Sequence, residues 1–115
     1  NDAGIVQCIN LKSLTVADNP KIKNVNHLEK LEILYALGNC GINDAGIVQC
    51  INLKSLNASF NRMITNVNHL VNLEILNAGS CELGNNERYG CGINDAGMAQ
   101  CINLKSLNAK FLAVL

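Results

Sequence analysis

Six cysteines and two histidines are the side chains of this sequence best suited to nucleophilic catalysis or metal binding, and their spacing decides whether they do either. Cys8, Cys50 and Cys101 each precede an I-N-L triplet, Cys40 and Cys91 each open a C-G-I-N-D-A-G run, and His27 and His69 each lie in N-V-N-H-L. The candidates recur together with the residues around them. A catalytic centre is asymmetric, with a nucleophile, a base and an orienting group in different roles, so a group copied along the chain reads as scaffold. No C-x-x-C pair occurs, which leaves zinc without its usual ligand spacing. No catalytic or metal-ligating residue is assigned, no cofactor is expected, and the chain is not expected to be an enzyme.

What recurs is a long stretch. N-D-A-G-I-V-Q-C-I-N-L-K-S-L begins at Asn1 and again at Asn43, 42 residues on, and N-D-A-G-M-A-Q-C-I-N-L-K-S-L begins at Asn94, a further 51 on. Self-similarity at such a period marks a solenoid, in which one supersecondary unit stacks on the next. Units begin near Leu11, Leu31, Leu53, Leu73 and Leu104, at spacings of 20, 22, 20 and 31 residues. Short units (LKSLTVADNPKIKNVNHLEK) alternate with long ones (LEILYALGNCGINDAGIVQCIN), and the fourth is lengthened by an insertion over residues 82–90, ELGNNERYG. Leu31, Leu34, Ala36 and Asn39 in one unit, and Leu53, Leu56, Ala58 and Asn61 in the next, fit the pattern L-x-x-L-x-L-x-x-N, with Val or Ala at the third Leu and Ile22, Ile42 and Ile64 at the twelfth place.

On these residues the chain resembles the leucine-rich-repeat proteins over nearly its whole length. Its long units are similar to the cysteine-containing subtype found in F-box-type adaptors. The wording N-P-K-I…N-V-N-H-L resembles repeat proteins of large DNA viruses of amoebae. The resemblance implies an α/β leucine-rich-repeat solenoid, a parallel concave β-sheet backed by short helices and 3₁₀ turns on the convex side. It also implies a role as a substrate receptor in a ubiquitin ligase, conditional on an F-box segment that these residues do not contain.

The elements follow from local physics. Leu56 and Ala58 show the period of two expected of a half-buried strand. Asp44 is expected to cap a short helix over Ala45 to Ile51, whose Ile47, Cys50 and Ile51 would share one apolar face. Gly46 is expected to allow close contact with the neighbouring coil, and Ile64 to Leu70 to form a 3₁₀ turn. Asn19, Asn39 and Asn61 share one place, where an amide would satisfy backbone groups leaving the strand. Equivalent cysteines would stand about 9–10 Å apart, beyond the roughly 7 Å Cα limit of a disulfide, and so read as small buried hydrophobes. Cys81 and Cys91 bracket the insertion and are the one pair that could close. Reduced cysteines in an intracellular, cytoplasmic setting are the default expectation.

The 115 residues are read as a single leucine-rich-repeat domain over 1–115, a fragment lacking caps, since neither end shows the polar cap a solenoid needs. Only 3% of residues are aromatic, which suits a thin core of stacked aliphatics. Nine basic and nine acidic residues cancel, so neither nucleic acid nor a membrane surface is expected as a partner. On the strands, the second place alternates Lys12, Glu32, Lys54, Glu74 and Lys105, a self-complementary ladder, and the third alternates Ser13, Ile33, Ser55, Ile75 and Ser106. Tyr35, Leu37 and Phe60 are large side chains at places expected to be exposed, where partners favour aromatics. A protein partner is therefore expected around Tyr35, Leu37, Asn57, Phe60 and Asn77, with Arg88 and Tyr89 of the insertion gripping one edge. Two readings compete with this: Phe60 folded over the sheet edge as packing, and the insertion a tolerated surface loop. The expected function is a protein-interaction module. The alternative is a structural repeat protein that self-assembles through its uncapped ends.

Overall fold

The computed structural model describes residues 1–82, 88–109 and 111–113. Five short strands, β1 (Ser13–Thr15), β2 (Ile33–Tyr35), β3 (Ser55–Asn57), β4 (Ile75–Asn77) and β7 (Ser106–Asn108), form one parallel sheet in the order β1-β2-β3-β4-β7. Each strand is one unit's contribution, and the central leucines align across all five, from Leu14 through Leu34, Leu56 and Leu76 to Leu107. The chain is thus a parallel β-solenoid with α/β repeats. After β4 the backbone continues into β5 (Ser80–Glu82), which pairs antiparallel with β6 (Arg88–Tyr89) and parallel with β8 (Phe111–Ala113).

Behind the five-stranded sheet lies one continuous aliphatic core. Leu34, Leu56, Leu76, Leu31, Leu53 and Leu73 are buried from the strand side, and Ile22, Ile42, Ile64, Val25, Val67, Leu28 and Leu70 from the back. Alanine or valine at the last inward strand position (Val16, Ala36, Ala58, Ala78) keeps the layer thin. The twelfth-place isoleucines therefore do the work of the missing third leucine.

The long backs differ from expectation in helix length, in the capping residue and in the placing of Ile51. The long backs carry helices of four residues, α1 (Asp2–Ile5), α2 (Asp44–Ile47) and α3 (Asp95–Met98). Each is capped by the asparagine before the aspartate: the side chains of Asn1, Asn43 and Asn94 accept from the amides of Gly4, Gly46 and Gly97. Asp44, freed from capping, reaches across to the next coil and accepts from the amides of Thr65 (2.7 Å) and Asn66 (3.2 Å). The helix stops at Ile47 because the Gln49 amide donates to Asn26 Oδ1 of the preceding coil at 2.7 Å. Ile47 and Cys50 consequently point inward, whereas Ile51 is 54% exposed. The short backs make the expected 3₁₀-type turn through i→i+3 hydrogen bonds, Leu28 N to Val25 O and Leu70 N to Val67 O, both 3.0 Å.

Gly46 is required by the stacking. A Cβ built on it would lie 2.1 Å from the Lys23 carbonyl oxygen, and one on Gly97 would lie 2.1 Å from that of Thr65. The histidines hold coil to coil: the Nε2 atoms of His27 and His69 lie 3.0 and 3.2 Å from the carbonyl oxygens of Ile5 and Ile47.

Candidate functional site

Because side chains alternate along a strand, the residues flanking the inward leucines face the concave side. On adjacent strands the parallel register sets Tyr35 beside Asn57 and Asn57 beside Asn77. Tyr35 is 39% exposed, and Asn57 and Asn77 are half-buried. Leu37, also half-buried, continues the line of Tyr35, its carbonyl accepting from the Asp18 amide at 3.2 Å. Asn57 Oδ1 turns along its own strand and accepts from the Ser59 amide at 3.1 Å. Asn77 stands at the corresponding place on β4, in register with Asn57 and with Asn108 of β7. Tyr35, Leu37, Asn57 and Asn77 are thus brought into one patch on β2 to β4.

Phe60 adjoins that patch in an unusual backbone state. It occupies the turn leaving β3 with φ +63°, and its amide donates to the Gly79 carbonyl at 2.9 Å. Equivalent turns place Asp18 (φ 53°) and Gly38 (φ 64°) at this position. Glycine suits the left-handed region and aspartate tolerates it, whereas a bulky residue there is an outlier. At Gly38 the reason for glycine is also steric, since a Cβ would fall 2.3 Å from Asp18 Oδ1. Residues 83–87 of the insertion, and the side chains of Arg88 and Tyr89, lie outside the described residues; the backbone of those two forms β6 opposite Glu82 and Cys81.

Four charges at the margin of the face pair within the sheet. Lys54 Nζ lies 3.5 Å from Glu32 Oε1 and Lys105 Nζ 2.8 Å from Glu74 Oε1. The hydrogen bond and charge of Lys105 hold the Glu74 carboxyl below the usual carboxylate range, and Glu74 in return raises the Lys105 ammonium. A groove of about 580 Å³ follows this margin, lined by Lys12, Lys30, Glu32, Lys54, Glu74 and Lys105 among others. Behind it, Ser13, Ile33, Ser55, Ile75 and Ser106 in one row and Thr15, Tyr35, Asn57, Asn77 and Asn108 in the next carry no charge.

The asparagine row is not uniform. Asn61 is fully buried, and its Nδ2 lies within reach of Ala36 O (2.9 Å), Ile42 O (3.2 Å) and Cys40 Sγ (3.3 Å). Asn39 is instead exposed, and its neighbour Cys40 turns inward. Long and short units therefore fill one inner place with different chemistry, cysteine against asparagine. The unit pattern conceals this, because it gives Asn39 and Asn61 the same ninth place.

Cys8, Cys40, Cys50 and Cys101 carry free thiols, the last three buried. Burial pushes the Cys50 thiol up to about 11, as befits an inert core residue. The side chain of Cys81 lies outside the described residues, and with it the test of a Cys81–Cys91 clip. Among the described residues no three His, Cys, Asp or Glu side chains are placed to hold a metal ion, and no helix is long and apolar enough to cross a membrane. Asn57-Ala58-Ser59 has the pattern of a glycosylation acceptor; Asn57 ends β3, Ser59 is buried and its Oγ accepts from the Gly79 amide at 3.0 Å. Compared with family models, curated proteins and solved structures, the chain finds no match.

Proposed function

We propose that the chain is a protein-interaction module of the leucine-rich-repeat kind, presenting the concave patch of Tyr35, Leu37, Asn57, Phe60 and Asn77, with Arg88 and Tyr89 alongside it on the insertion. The observation that carries this reading is the left-handed backbone of Phe60. A bulky residue held there costs about 1–3 kcal/mol, and such strain is characteristic of sites kept for function. The fold itself does not call for phenylalanine, since aspartate and glycine serve in the equivalent turns. A rigid sheet loses little entropy on docking, and tyrosine and phenylalanine give large contact area for few rotatable bonds. Within a larger adaptor such a face would serve as the substrate-recognition part.

Affinity capture with mass-spectrometric readout tests the proposal, run beside a Tyr35→Ala, Phe60→Ala variant that retains its circular-dichroism spectrum. A protein bound by the parent and weakened at least tenfold in the variant is the expected result, the loss usual for truncating an aromatic anchor being about 2 kcal/mol or more. A partner held equally by both would put the site elsewhere.

A second reading is self-association through the β7 end of the sheet. Leu107, which aligns with the buried Leu76, is 45% exposed there, and Ile102 is 85% exposed. Sedimentation velocity over a concentration series separates the two readings, because only self-association makes size depend on concentration.

A further inference from the structure

One pattern on the concave face lies outside the buried core. Ile33 and Ile75 stand in register with Ser13, Ser55 and Ser106, so apolar and hydroxyl side chains alternate strand by strand. Ile75 is 43% exposed and Ile33 half-buried. With Tyr35 on the same strand as Ile33, the face has an apolar ridge on β2, a polar furrow of Ser55 and Asn57 on β3, and a second ridge on β4. At about 4.8 Å per strand, the ridges are roughly 9.6 Å apart. The charges of the strand rows stand at the margin, where Lys54 pairs with Glu32 and Lys105 with Glu74.

Resting on the reading of this face as a protein-binding surface, we infer that its partner is an amphipathic α-helix laid across the strands, with large apolar residues at i and i+7 and an uncharged face between them. The spacing selects the helix. Seven helical residues rise about 10.5 Å and return within about 20° of the same face. An extended segment offers same-face residues only at even separations, about 6.8 or 13.6 Å, and misses both ridges at once. The i+3 and i+4 side chains fall over the furrow, where Ser55 and Asn57 of β3 meet small polar groups. Because the Ser13–Ser106 and Thr15–Asn108 rows carry no charge, a charged residue on the docking face would be desolvated without a counter-ion, so the partner's face is neutral and its binding is nearly insensitive to salt.

The test is a phage-displayed library of helical peptides of about 18 residues, five turns, selected against the chain and then measured at about 50 and 500 mM salt. The expected result is enrichment of two large apolar residues seven apart and less than about a threefold change in affinity with salt. Ile33→Ser with Ile75→Ser should weaken those peptides at least tenfold; serine already occupies this place in β1, β3 and β7, which favours an unchanged fold. Ser55→Lys, which leaves both ridges in place and charges the furrow, should weaken them as well. Enrichment of another spacing, strongly salt-dependent binding, indifference to both variants, or no enrichment would each overturn the helix. Peptides lost on Tyr35→Ala, Phe60→Ala but indifferent to the isoleucine and serine variants would sink this inference and leave the binding face standing. Peptides indifferent to all of them would count against both.

Discussion

At the scale of single residues, the most informative position is Phe60, because backbone and side chain there pull in different directions. Separating the two requires two substitutions that both remove the ring. Phe60→Ala keeps a Cβ in the left-handed region, whereas Phe60→Gly relieves it. The glycine variant should therefore be the more stable of the pair by about 1 kcal/mol, the left-handed penalty of an L-residue, although glycine normally costs stability elsewhere. Chemical denaturation of both variants reads this directly. An alanine variant as stable as the glycine one would remove the strain argument on which the proposed function rests. Asn61 and Asn39 give the complementary lesson: identical residues at equivalent places, one fully buried against the preceding coil and one exposed.

At the scale of elements, the N-D-A-G-I turn shows how context decides the cost of a residue. The same five residues form α1 with its cap and α2 with its cap. At Gly46 a Cβ would meet the Lys23 carbonyl oxygen at 2.1 Å, while at Gly4 the nearest atom is the flexible Asn1 Oδ1 at 3.4 Å. Gly46→Ala must push apart two backbones that are also joined by the bond from Val25 N to Gly46 O, 2.9 Å. A loss of about 1–3 kcal/mol is expected, the usual cost of overpacking. Gly4→Ala should be neutral or add up to about 1 kcal/mol through helix propensity. Thermal melts of the two variants check both, and equal effects would mean that coil-to-coil contact does not govern this turn.

At the scale of the whole molecule, extents of 43 × 31 × 18 Å describe a flattened slab with one thin core. In such an array each coil is supported by its neighbours rather than by a central mass, so core thiols report on stacking. Cys8 is exposed, while Cys40, Cys50 and Cys101 are buried. Cys8 should react with a thiol reagent at once near pH 8. Cys50 should wait for unfolding, both because it is covered and because its thiol, pushed up to about 11, is almost wholly protonated there. Time-resolved mass spectrometry of a Cys→Ser series would order the sites. Prompt labelling of Cys50 in folded protein would show that the coils separate readily.

The repeated leucines, the inward period of two and the Asn-Asp-Ala-Gly turn determined by themselves that the chain is a solenoid with a parallel sheet, because they are local signals and each unit states them again. The charge ladder was equally legible, since in-register parallel strands bring equivalent residues together. Three things were decided only in the tertiary structure. Asn43 rather than Asp44 caps the helix because Asp44 finds two amides in the next coil, 21 and 22 residues away. Cys40 takes the inner place that Asn39 leaves, to meet Asn61 across the coil boundary. Phe60 adopts the left-handed turn because its amide donates to the Gly79 carbonyl, in the segment that leaves β4. In each case a hydrogen-bond partner from a neighbouring coil outweighs the local preference, and no window within one repeat contains that partner.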